Sequence, residues 1–246
     1  MVLKDLATFH AVPLALKLVK PQVFENKVRP HLTPLKPPPT PSEENGERGP
    51  QAIIYEVVED CAVIQPFKSK LKDFLKMDFA HLDRPERPFF TIVHGDAWAN
   101  NIMVKFENGK PVASKFVDFQ NYTFRSPVAD LIFLLWSSVQ QTILEENFDE
   151  LIRFYHDNFV ENLVRLKCDP TPFSFEKLLE EIDAEAKQIA GQSMFMCTLV
   201  VFGKEGGFST EDPAKPPGFG TAADVTPEAK ERLIYILKIC HEKGWL

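Results

Sequence analysis

The N-terminal pattern of apolar and charged positions predicts a helix followed by an irregular segment. Within residues 2–20, apolar residues recur at near-helical spacing and charged residues lie between them. Pro13 has no amide hydrogen to donate, so we expect a kink or a break in the helix there. Residues 30–50 then contain seven prolines and few apolar residues. This segment buries too little surface to offset its ordering entropy, and it predicts an extended or disordered insertion.

The central part of the chain predicts three short strands and a hairpin. Runs of β-branched and aromatic residues over 89–93, 102–106 and 113–117 are typical of strands. Asn108 and Gly109 separate the second run from the third, and both residues tolerate the positive φ of a type I′ turn. We therefore expect the second and third strands to form an antiparallel hairpin that ends close to where it begins.

The remainder of the chain predicts helices, so the fold class is α+β, mainly helical with one small β-hairpin. Residues 128–140 are apolar on nearly every side, which is typical of a buried helix. Periodic apolar positions predict further helices over 68–77, 145–167, 174–190 and 227–242, while the glycines and prolines of 203–225 predict a loop. We expect a single domain over 1–246, interrupted by the insertion at 30–50.

The composition and charge of the chain limit the cellular compartment and the classes of binding partner that we expect. The chain has 246 residues and a formal net charge of −7, which provides no general attraction to nucleic acid or to anionic lipid. We therefore expect neither a nucleic-acid nor a membrane partner, and the sequence leaves protein partners undetermined. The four cysteines form no C-x-x-C pair, and no apolar run approaches the length of a membrane span. These features favour a cytoplasmic protein with free thiols.

Candidate chemistry lies around the predicted hairpin. His94, Gly95 and Asp96 follow the first strand, Asn101 comes five residues after Asp96, and Asp118 follows the last strand. Because the hairpin returns the chain to its start, the two carboxylates and the amide should converge. Phosphoryl transfer uses such a set: oxygen ligands hold Mg²⁺, and a separate carboxylate orients the attacking hydroxyl. Asn101 and Asp118 suit the metal, and Asp96 suits the base.

The pattern HGDxWxxN, followed by a hairpin and Asp-Phe-Gln, resembles the aminoglycoside and choline kinase-like superfamily. Within it, the tryptophan and the paired asparagines are most similar to the ecdysteroid kinase-like (CHK kinase-like) proteins. The resemblance implies a protein-kinase-like fold, ATP as co-substrate, Asp96 as catalytic base, and Asn101 and Asp118 as Mg²⁺ ligands. It also implies that His94 and Asp130 support the catalytic loop.

The chain departs from that family in its first part. Kinases of this superfamily carry a glycine-rich phosphate loop and a strand lysine in an N-lobe. Here the first 90 residues contain only Gly46 and Gly49, and no G-x-G-x-x-G pattern occurs. We therefore expect the chain to correspond to the C-lobe, with the N-lobe absent.

Three functions remain open at this point. The first is an ATP-dependent phosphotransferase acting on a hydroxyl of a small molecule, such as an ecdysteroid or another steroid. The second is a truncated, catalytically incomplete pseudokinase or regulatory binding module. The third is a choline or ethanolamine kinase, although four tyrosines and three tryptophans offer little for a cation cage. Trp98 either packs the loop or touches the substrate.

Overall fold

The structure is a computed structural model that describes residues 1–32, 50–75, 86–198 and 221–246. Its α-helices in these ranges are α1 (Val2–Val19), α2 (Pro21–Lys27), α3 (Pro50–Val58), α4 (Lys68–Leu75), α5 (Val128–Ser138), α6 (Gln141–Arg165), α7 (Phe175–Met196) and α8 (Pro227–Glu242). The strands are β1 (Thr91–Val93), β2 (Ile102–Glu107), β3 (Lys110–Phe116) and β4 (Thr123–Arg125). The predicted fold class, mainly helical α+β with a small hairpin, is confirmed.

The chain divides into two units, each with its own buried residues. The first combines residues 1–36 with 82–185 and contains α1, α2, the four strands, α5 and α6. The second combines residues 37–81 with 186–246 and contains α3, α4 and α8. Helix α7 begins in the first unit and ends in the second. Every predicted site residue belongs to the first unit.

Helix α1 continues through Pro13 without a break. Of the two predicted outcomes at this proline, a kink or a break, the break does not occur, although the missing amide hydrogen still removes one helical hydrogen bond. The helix packs along α6 and buries Leu6, His10 and Leu14 completely. Burial of this face stabilises the helix on both sides of the proline, because tertiary packing provides most helical stability in proteins.

The predicted hairpin is confirmed. Strands β2 and β3 pair antiparallel from Ile102 opposite Phe116 to Glu107 opposite Lys110. Asn108 and Gly109 form the two-residue connection with φ values of 52° and 74°, both positive as a type I′ turn requires. The strand predicted at 89–93 is shorter in the structure, and it pairs antiparallel with β4, which the sequence pattern did not predict.

The helices that follow agree in position with the prediction, and α5, α6 and α7 differ from it in their ends. Residues 128–137 of α5 are all buried, as their apolar character predicts. Helix α6 begins at Gln141, and Asn147 interrupts its helical geometry with φ −133° and ψ 15°. Helix α7 extends to Met196, and α8 has the predicted bounds with Thr226 as its N-cap. Helices α2 and α3 were not predicted.

Two predicted segments lie largely outside the described residues. They are the proline-rich insertion at 30–50 and the loop at 203–225. Among the helices that the structure does describe, none combines the length and the apolar character needed to cross a membrane.

Candidate active site

The loop after β1 lies directly against the segment that follows Asp118. Gly95 has φ +79°, and a Cβ atom built on it would lie 2.3 Å from the backbone oxygen of Asn121. Only glycine accommodates both the positive φ and this close approach. The loop that begins with residues 94–96 (the HGD loop) and residues 118–121 (the DFQN segment) are thus held together at Gly95. This contact brings Asp96 toward Asp118.

His94 joins the loop to the end of β3. Its ring is fully buried, and its Nδ1 accepts a hydrogen bond from the Asp96 amide at 3.3 Å. Its Nε2 lies 2.8 Å from the Val117 carbonyl oxygen and donates to it. These partners assign the proton of the neutral ring to Nε2. The resemblance implied that His94 supports the loop, and the structure places it between the loop and the residue before Asp118.

Asn101 fixes the Asp96 side chain. Its Nδ2 donates to the Asp96 carbonyl oxygen and to the Asp96 Oδ2, each at 2.9 Å. Asn101 is itself buried, and its backbone oxygen accepts from the Val117 amide at 2.9 Å. Because both hydrogen bonds use the NH₂ group, the amide oxygen Oδ1 is left to serve as an acceptor or a ligand.

Asp118 has a left-handed backbone, with φ 63° and ψ 65°. A non-glycine residue in this region is strained, and such strain is concentrated at functional sites. The side chain is exposed, and its Oδ2 accepts from Gln120 Nε2 at 3.3 Å. This backbone conformation turns the chain sharply at the end of β3, immediately beside the HGD loop.

The donor set fits a magnesium ion. Mg²⁺ prefers oxygen ligands from a small number of carboxylates and keeps several waters or phosphate oxygens. The Asn101 amide uses Nδ2 for both of its hydrogen bonds to Asp96, and within the described residues Oδ1 accepts no hydrogen bond, so this oxygen is available as a ligand. The Asp118 carboxylate contributes the negative charge. These two residues are the ones that would hold the ion.

The electrostatics of Asp96 suit a proton acceptor. Burial raises the pKa of Asp96, and the nearby Asp118 carboxylate raises it further. The hydrogen bond from Asn101 opposes both effects, and the indole N–H of Trp98 also lowers the pKa of Asp96. The net shift is upward. An aspartate with a raised pKa binds a proton more readily, which favours general-base chemistry near neutral pH.

Asp130, near the start of α5, holds the HGD loop by its backbone. Its Oδ2 accepts from the His94 amide at 2.6 Å and its Oδ1 from the Gly95 amide at 2.9 Å. Burial would raise the pKa of Asp130, but the hydrogen bonds from His10 and from these two amides hold it below its usual value. Asp130 is therefore an ionised, fully buried anchor of the loop.

Two further residues, His10 and Ser138, contact the groups that hold the HGD loop, and neither was identified from the sequence. His10 Nε2 lies 3.1 Å from Asp130 Oδ2, and His10 Nδ1 lies 2.7 Å from the Tyr155 hydroxyl. Ser138, at the end of α5, accepts from the Ala99 amide at 2.8 Å. One signal could have indicated His10: it lies within the apolar face of its helix, and a buried polar group requires a partner.

Trp98 lies in the loop between Asp96 and Asn101. It is partly buried, and its indole N–H is shielded from solvent without a hydrogen-bond partner among the described residues. It lies near enough to the Asp96 carboxylate to lower the pKa of that group. The side chain therefore contributes to the environment of Asp96.

A mainly helical fold, in which the loop between a strand and a hairpin carries the HGD motif, agrees with the helical lobe of a kinase-like fold. The model of the ecdysteroid kinase-like family matches residues 1–168, which is more than half of the chain. The chain therefore belongs to the ecdysteroid kinase-like family. No curated protein and no solved structure matches it significantly.

Proposed function

We propose that this protein is an ATP-dependent phosphotransferase that phosphorylates a hydroxyl group of a small molecule, with ecdysteroids and other steroid alcohols as the leading acceptors. Family membership supports kinase-like chemistry. The observation that carries the proposal for this chain is the double hydrogen bond from Asn101 to Asp96. It aligns the candidate base and turns the free oxygen of Asn101 away from it.

In the proposed reaction, Asp96 orients the acceptor hydroxyl and receives its proton. The bond between the γ-phosphorus and the bridging oxygen of ATP breaks, and a bond from that phosphorus to the acceptor oxygen forms. Asn101 and Asp118 would hold Mg²⁺, which neutralises charge on the phosphates. Because Asn101 contacts Asp96 directly, the same side chain couples the position of the base to the metal site.

The loop needs rigid support, because phosphoryl transfer depends mainly on positioning and electrostatic stabilisation. Support comes from both ends of α5: Asp130 accepts from the His94 and Gly95 amides, and Ser138 accepts from the Ala99 amide. Asp96 thus lies between two anchored stretches of backbone. This arrangement favours a catalytic loop that is preorganised before the substrates bind.

The direct test compares Asp96→Asn with a matched control. Asparagine keeps the size of the side chain and an acceptor for Asn101, but it is a far weaker base. We expect transfer from Mg·ATP to fall roughly 10²- to 10⁴-fold, the usual contribution of a general base. Asp60→Asn removes a carboxylate whose side chain is 97% exposed, and it should leave transfer unchanged.

The acceptors in this assay should include a polyhydroxylated steroid, choline and ethanolamine. Transfer to choline or ethanolamine alone would overturn the proposed acceptor class. Micromolar binding of Mg·ATP without transfer to any acceptor would instead assign the chain a nucleotide-binding role without catalysis.

A further inference from the structure

Tyr155 and His10 form a hydrogen-bonded pair in the interior of the first unit. Both side chains are completely buried, and the Tyr155 hydroxyl lies 2.7 Å from His10 Nδ1. The pair connects α6 with α1 across 145 positions of sequence. The proposed transfer reaction assigns no role to Tyr155.

The directions of the hydrogen bonds follow from the partners. Asp130 is ionised and can only accept, so His10 Nε2 carries the hydrogen that Asp130 receives. Burial raises the pKa of Tyr155 well above its usual value, and the charge of Asp130 raises it further, so the hydroxyl keeps its proton. In the neutral ring, the Tyr155 hydroxyl therefore donates to Nδ1. The result is a directed chain from Tyr155 through His10 to Asp130.

The backbone of His10 is held as well. Thr91, the first residue of β1, donates from its hydroxyl to the His10 carbonyl oxygen at 2.8 Å. The ring still needs a second partner to fix its orientation, because a single bond to Asp130 permits either nitrogen to face the carboxylate. The Tyr155 hydroxyl is that second partner, since it pairs with Nδ1 only when Nε2 faces Asp130.

We propose that Tyr155 is a positioning residue of the phosphate-transfer site. It fixes the orientation and the tautomer of the His10 ring. His10 in turn holds the Asp130 carboxylate against the His94 and Gly95 amides. This inference rests on the proposed function. It extends the support of the catalytic loop from α5 to α6, a helix that provides none of the proposed reacting groups.

Substitution of Tyr155 by phenylalanine tests the effect of the hydroxyl group alone. The Tyr155 ring stacks on Phe159 with a centroid distance of 6.0 Å, and its edge meets the His10 ring at 5.9 Å. Tyr155→Phe keeps these ring contacts and removes only the donor. Tyr235→Phe is the matched control, because Tyr235 is also a buried tyrosine but belongs to the second unit.

The kinetic test measures kcat and the KM for ATP. We expect Tyr155→Phe to lower kcat about 3- to 10-fold, as expected when a buried hydrogen bond is lost, with KM for ATP changed less than about 2-fold. Tyr235→Phe should leave both constants unchanged. In a His10→Gln background, Tyr155→Phe should have no further effect, because the hydroxyl acts through His10. An additive fall in the double variant would overturn the proposed route.

Two NMR measurements test the same proposal without any transfer assay. The ¹⁵N shifts of the His10 ring should report a single Nε2–H tautomer in the wild type and a mixture in Tyr155→Phe. Hydrogen exchange at the His94 and Gly95 amides should accelerate in Tyr155→Phe and not in Tyr235→Phe. Unchanged tautomer and exchange would overturn the inference. If the wild type transfers no phosphate but these changes occur, the proposed function fails while the support of the loop by Tyr155 stands.

Discussion

Replacement of Gly95 by alanine tests whether the HGD loop and the DFQN segment are held together at this residue. The new Cβ would lie 2.3 Å from the Asn121 backbone oxygen, about 1 Å closer than an ordinary contact. Gly109, in the hairpin turn of the same unit, is the matched control. Its φ of +74° is close to the +79° of Gly95, but a Cβ there meets nothing within 4 Å.

The two variants separate the cost of backbone conformation from the cost of the contact. A residue with a Cβ at positive φ costs about 1–2 kcal/mol, so Gly109→Ala should lower the free energy of unfolding by that amount. Gly95→Ala adds an overpacked contact, which costs about 1–3 kcal/mol. We therefore expect a total loss of about 2–5 kcal/mol for Gly95→Ala.

Urea denaturation measures both free energies of unfolding, and a transfer assay at a temperature where both variants are folded measures the site. A displacement of about 1 Å at the loop should lower kcat roughly 10²-fold in Gly95→Ala, while Gly109→Ala retains wild-type kcat. Equal destabilisation by the two substitutions would refute the close contact. A stable Gly95→Ala protein with wild-type kcat would refute its importance for the site.

Three further predictions concern Asp96 and its neighbours. Because the pKa of Asp96 is raised in the folded state, the contribution of Asp96 to stability falls as pH rises from the ordinary pKa of an aspartate through the raised one. Asp96→Asn should therefore have a higher melting temperature than the wild type at neutral pH but no such advantage in acid. A lower melting temperature of the variant at pH 7 would contradict this sign. The acidic limb of the pH profile of kcat/KM should have its midpoint at a pH above the ordinary pKa range of an aspartate, since the base must be ionised. Trp98→Phe removes an N–H that lowers the pKa of Asp96, so it should move this limb to higher pH. A limb that does not move would exclude the indole from the environment of the base. Asp118→Asn should raise the Mg²⁺ concentration needed for half-maximal transfer, whereas an unchanged magnesium dependence would remove Asp118 from the metal site.

The hairpin and α5 show how far local signals extend. Asn108 tolerates positive φ because its short polar side chain can hydrogen-bond locally, and Gly109 does so because it has no Cβ atom. The turn and the pairing of β2 with β3 therefore follow from a few neighbouring residues. The apolar character of residues 128–137 likewise predicts the burial of α5, because so apolar a helix is stable only inside the protein. The spacing of Asp96, Asn101 and Asp118 around that hairpin predicted a candidate site, and in the structure Asn101 bonds to Asp96 while Asp118 lies near enough to affect the pKa of Asp96.

Helix α1 shows where local signals fail. Pro13 predicts a kink or a break when residues 2–20 are considered alone. The buried face that contains Leu6, His10 and Leu14 packs along α6, and the helix continues without a break. The pairing of β1 with β4 is a similar case. Both strands have only three residues, and their partnership depends on how the hairpin between them returns the chain.

By itself, the sequence of this protein determined the mainly helical fold class, the hairpin and the family to which the chain belongs, because these depend on residue type, on spacing and on turns between near neighbours. Only the tertiary structure decided how the loop is held. His10 meets Asp130 across 120 positions and Tyr155 across 145, and nothing in either local pattern specifies such a partner. A buried hydrogen bond depends on where two distant backbones are placed by the packing of whole helices, and that packing is a property of the folded chain.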